Sequence, residues 1–68
     1  MTIRLAEVKA DSFIKLKKIF EEDDDLRLHC GLKYAGNRIS GGLEVEIYAG
    51  YSKLEPKVLG LIAEHVRS

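Results

Sequence analysis

Net charge is the first thing missing. Eleven lysines and arginines are balanced by eleven aspartates and glutamates, so the formal net charge at neutral pH is zero. A protein whose main task is coating nucleic acid carries a basic excess, and this balance argues against that role. Cysteine is nearly absent: with Cys30 alone, no internal disulfide framework can form. A chain that folds without covalent staples fits a reducing, cytoplasmic setting. No apolar run approaches the roughly 18 residues of a membrane span. The N-terminal stretch, broken by Arg4 and Glu7, lacks the apolar core of a signal peptide. Repeats, low-complexity linkers and composition breaks are missing too, so the 68 residues are expected to form one α+β domain, 1–68. A domain of this size buries only about 60% of its unfolded surface, so its core is thin. The 46% hydrophobic and 32% charged content is that of a globular chain rather than a disordered one.

What is present is a change of period. Thr2 to Val8 alternates weakly, Ile3 and Leu5 against Thr2, Arg4 and Ala6, and reads as a short strand. Asp11 or Ser12 offers an N-cap for a helix running to about Glu22, with Phe13, Leu16 and Phe20 on one stripe and Ile19 at its border. From Leu26 the period becomes two. Leu26, Leu28, Cys30, Leu32 and Tyr34 alternate with Arg27, His29, Gly31, Lys33 and Ala35; Leu43, Val45, Ile47 and Ala49 alternate with Glu44, Glu46 and Tyr48. The glycine-rich stretch Gly36–Gly42 between them makes a β-hairpin. A tight turn at Gly36-Asn37 sets His29 opposite Glu44 and Arg27 opposite Glu46; a longer loop, favoured because Gly41-Gly42 is weak strand, sets Lys33 opposite Glu44. A last helix begins near Leu54 with Pro56 in its first turn, an apolar face of Leu54, Val58, Leu61, Ile62 and Val66, and Arg67 at its end.

The order β-α-β-β-α predicts a three-stranded antiparallel or mixed sheet, covered on one face by two helices. The third strand inserts between the first two as in a split β-α-β unit. Without the first strand the remainder is α-β-β-α. Either arrangement leaves a strand edge unpaired, which makes a homodimer possible.

The acidic run Glu21-Glu22-Asp23-Asp24-Asp25 is the feature that breaks a local rule, because it is expected to close a helix whose C-terminus already carries partial negative charge. Neutralising Asp23, Asp24 and Asp25 is therefore expected to leave folding unharmed or slightly improved. The run suits a docking patch for a basic protein surface. It lacks the alternating spacing and distal Glu of a calcium loop, and the two histidines and one cysteine lack zinc spacing, so no metal and no cofactor are expected. His29 and Cys30 would point to opposite faces of a strand and cannot act as base and nucleophile together. Gly36–Gly42 joins two strands and lacks phosphate-loop spacing.

These readings favour a small non-enzymatic, cytoplasmic binding or regulatory protein acting through protein contact. Its size would suit an inhibitor carried by a phage or mobile element. The alternative is a small nucleic-acid-binding domain using the hairpin and open sheet face, with Arg27, His29, Lys33 and Arg38. A hydrolase using His29 is the least supported reading. No membrane role is expected.

Overall fold

The computed structural model describes residues 1–66; Arg67, assigned above to the end of the last helix, lies outside them. Strand β1 (Thr2–Val8) leads into helix α1 (Ala10–Glu22), then a second short helix α2 (Asp24–His29), strands β2 (Cys30–Asn37) and β3 (Leu43–Ala49), a 3-10 turn (Ser52–Leu54) and helix α3 (Glu55–His65). The strand order is β1-β3-β2, with both outer strands antiparallel to β3. The α+β class and the insertion of the third strand between the first two are therefore as the alternation implies.

Three local expectations are corrected. First, α1 starts at Ala10; its N-cap is Lys9 and no side chain caps it, while Asp11 sits in the first turn, where an acid favours the dipole. Second, Leu26–His29 is helix, not strand. Asp23 accepts the Leu26 amide hydrogen at Oδ1, 3.1 Å away, and so caps α2. Asp24 and Asp25 fill its first turn and Arg27 and His29 its last, the charge order that a helix prefers. Leu26 is fully buried, but Leu28, expected to share the buried sheet face, is 70% exposed. Third, neither hairpin register holds. Lys33 faces Glu46 and Gly36 faces Glu44, because β2 runs on to Asn37 and the chain turns only after it; a bulge between Tyr34 and Gly36 adds one residue to β2. The loop closes over residues 38–42, with the Arg38 N–H donating to the Gly42 carbonyl.

The core lies on one face of the sheet. Val8, Val45, Ile47 and Ala49 are buried beneath Leu16, Phe20, Leu26, Val58 and Ile62, with Ile3, Leu5, Phe13, Cys30, Leu32, Leu61 and Val66 packed at the margin. Among the described residues the opposite face carries no helix. Across it runs a row set by register, Arg4 on β1, Glu46 on β3 and Lys33 on β2, with the Arg4 Nε 3.2 Å from the Glu46 carboxylate.

Candidate interaction surface

The acidic run is divided between two helices. Glu21 and Glu22 end α1, which has no basic residue in its last turn. Lys17 and Lys18 lie four residues earlier, the spacing at which opposite charges meet. Asp23 is the hinge: one carboxylate oxygen caps α2, and the other takes a hydrogen bond and ion pair from the Lys57 ammonium of α3. That hydrogen bond, then the Leu26 amide, holds the Asp23 carboxyl below its ordinary value, and the same contact raises Lys57. Asp24 pairs with Arg27 at 2.9 Å, and Arg27 also donates to the Glu21 carbonyl at 3.4 Å.

Of the five acids, then, Asp23, Asp24 and Asp25 satisfy the dipole of a second helix rather than oppose that of the first. The expectation that neutralising them spares or improves folding is reversed. The missed signal was present: an Asp followed by two more acids, ahead of a basic residue and a leucine, is a helix start. Glu21, Glu22 and Asp25 form no ion pair among the described residues and are exposed.

The four residues assigned to nucleic acid are not brought together. Arg27 is bound to the acidic corner. His29 ends α2 rather than lying in a strand, its ring 5.7 Å from that of Tyr51. Lys33 does lie on the open face, opposite Glu46. Arg38, at the hairpin tip, is 3.2 Å from the Glu44 carboxylate. Cys30 is half-buried, and that burial, partly offset by the Gly50 amide, pushes its thiol up, away from the reactive thiolate.

Among the described residues no three His, Cys, Asp or Glu side chains are grouped to hold a metal ion, and no helix is long and apolar enough to cross a membrane. No protein-family model, curated protein or solved structure matches the chain.

Proposed function

We infer that the chain is a non-enzymatic binding protein that regulates or inhibits a protein partner through a basic surface of that partner. The observation that supports this is the corner between α1 and α2. Glu21, Glu22 and Asp25 are exposed without ion-pair partners among the described residues, beside an Asp23 tied at both oxygens. Carboxylates on a fixed frame steer a basic partner at little entropic cost. A cytoplasmic location accords with the lone, half-buried thiol. The small size accords with an inhibitor of the kind phages and mobile elements encode. No observation favours the nucleic-acid reading over this one, since Arg27 and Arg38 are each paired to an acid and Lys33 and Arg4 flank Glu46.

The test uses a variant carrying Glu21→Gln, Glu22→Gln and Asp25→Asn, which spares Asp23 and Asp24. Its thermal stability is measured beside capture from a host lysate at several salt concentrations. A folded variant that no longer captures the wild-type partner, with association slowed most at low salt, supports the reading. Equal capture by both proteins, or capture abolished by nuclease, refutes it.

A further inference from the structure

The edge of β2 has no partner strand among the described residues. The hydrogen-bond pattern shows which of its groups face outward. The Gly50 amide donates to the His29 carbonyl, so His29 and Gly50 form a hydrogen-bonded pair. By the alternation of an antiparallel ladder, Gly31 and Lys33 bond to β3, while Cys30, Leu32 and Tyr34 direct backbone groups away from it. The Cys30 N–H is taken by the Leu26 carbonyl, leaving its own carbonyl free to accept.

We propose that β2 pairs antiparallel with β2 of a second copy of this chain about a two-fold axis at Leu32, giving a continuous six-stranded sheet. Leu32 of each copy exchanges both backbone hydrogen bonds with the other, and the Tyr34 N–H of each donates to the Cys30 carbonyl of the other. Charge decides the register. An axis at Lys33 would set two lysines face to face, a destabilising pair, whereas the axis at Leu32 sets Lys33 opposite Gly31. An axis at Tyr34 runs the ladder into the bulge before Gly36, and one at Gly31 runs it into α2. The other edge is defended: β1 loses register between Leu5 and Val8, with Glu7 held at a φ of 62°.

Side chains on the covered face fit the same axis. A shallow groove of about 180 Å³ opens beside β2, floored by Phe20, Cys30 and Leu32 and rimmed by Lys17, Glu21 and Arg27. Tyr34 is 49% exposed, although Val45 opposite it is fully buried and Leu32 beside it is half-buried. In the single chain the Tyr34 ring stands edge-on to Phe13 and its hydroxyl donates to Asn37 Oδ1 at 2.7 Å; set opposite Cys30 of the other copy, it exchanges that exposed hydrogen bond as the ring turns into that copy's groove and the hydroxyl reaches the polar rim. The arrangement is isologous, knob and groove occurring twice. Ala35 and Gly36, the small residues that follow, pass the exposed Leu28 at the end of α2.

The test has two arms, both on the full chain. Sedimentation across a concentration series is expected to show a monomer–dimer equilibrium that Tyr34→Lys weakens by about tenfold or more, the loss of a central aromatic anchor. The double variant Glu22→Gln, Asp25→Asn, which leaves the groove rim untouched, keeps the equilibrium in place, which separates this proposal from the acidic-corner reading. In the second arm, Gly31→Cys and Lys33→Cys are made separately in a Cys30→Ala background; both positions lie on the open face, and a Cβ at Gly31 meets nothing within 4 Å. Opposed residues of a strand pair lie within disulfide reach. Mixed together under mild oxidation, the two variants should form a disulfide heterodimer, while each alone stays largely uncrosslinked. A folded wild type that remains monomeric at the highest concentration overturns the proposal. So does Lys33→Cys crosslinking alone as readily as the mixture, or a folded Tyr34→Lys that dimerises like the wild type.

Discussion

On one face of the sheet Val45, Ile47 and Ala49 are sealed beneath Leu16, Phe20, Leu26, Val58 and Ile62; on the other, Arg4, Glu46 and Lys33 lie side by side in water. Both faces are built by the same strand, since successive residues of β3 point alternately into the core and out of it. The covered face gains from removing apolar surface from water. The open face gains little from its ion pairs, which solvent screens. In so small a domain nearly all stability must therefore come from one side.

The largest test of that division is Phe20→Ala. Phe20, on α1, is 5% exposed and belongs to the central cluster. Truncation of a buried phenylalanine costs about 3–5 kcal/mol, a large part of the total for a domain of this size. Loss of the cooperative melt, or a midpoint lowered by many degrees in calorimetry, is expected. A nearly unchanged midpoint would show that the covered face does not carry the fold.

Gly42→Ala comes next, at the end of the hairpin loop. A Cβ there would stand 2.8 Å from the Cα of Glu7, a backbone atom that cannot turn aside. Glu7 already holds a left-handed conformation and accepts a hydrogen bond from the Ser40 hydroxyl. The added methyl must push β1 from β3 where the register shifts, at a cost of about 1–3 kcal/mol, as for overpacking. Denaturant titration would measure it, and a neutral result would mean that the bulge gives way.

How far these features were legible depended on whether the deciding interaction was local. The alternation in Leu43–Ala49 announced β3 and its faces correctly, since period two with one apolar set has one solution beside a core. The same period over Leu26–Tyr34 misled. Leu26 and Cys30 are also four apart, a helical spacing, and the Asp23 cap decided between the two, ending α2 where Cys30 donates to the Leu26 carbonyl. The register was beyond reach because β2 continues through Gly36 to Asn37 by pairing with β3, which the local sequence does not display. At the acidic corner the carboxylates were legible as a cluster, but Lys57, thirty-four residues from Asp23, was not.

That distant pair makes a pH-dependent prediction of smaller size. Asp23 lies below its ordinary 3.8 chiefly because the Lys57 ammonium donates to it, and Lys57 lies above 10.5 for the reciprocal reason. A depressed acid adds stability that is present above its unfolded pKa and lost as pH falls through the folded one. A raised base adds stability that is present below its unfolded pKa and lost as pH rises through the folded one. The contribution is thus flat through neutrality and declines below about pH 3.8 and above about pH 10.5. Asp23→Asn, which keeps a capping oxygen, should flatten the acid limb of the melting-temperature profile. Asp23→Ala, which loses cap and pair together, should also lower the midpoint at neutral pH. An acid limb of unaltered slope in Asp23→Asn would remove the ion pair from the account.

The smallest effect on stability belongs to the open face. Glu46 accepts from Arg4 at 3.2 Å and faces Lys33 across the ladder, yet an exposed pair of this kind is worth only about 0.2–1 kcal/mol. Glu46→Gln should therefore barely move the melt. What it changes is the charge of the surface. With Glu46 ionised, the row holds one acid between two bases beside the exposed Tyr48 ring; with glutamine, only the bases remain. A basic strip next to an aromatic ring is what single-stranded nucleic acid binds without sequence preference. If the wild-type face is kept from nucleic acid by this carboxylate, Glu46→Gln should gain a weak, salt-labile affinity for a single-stranded oligonucleotide that the wild type lacks. Fluorescence anisotropy at low salt would detect it. Tight binding by the wild type, weakened by Lys33→Ala, would instead show that the balanced row does not exclude nucleic acid, and the open face would displace the acidic corner as the working surface.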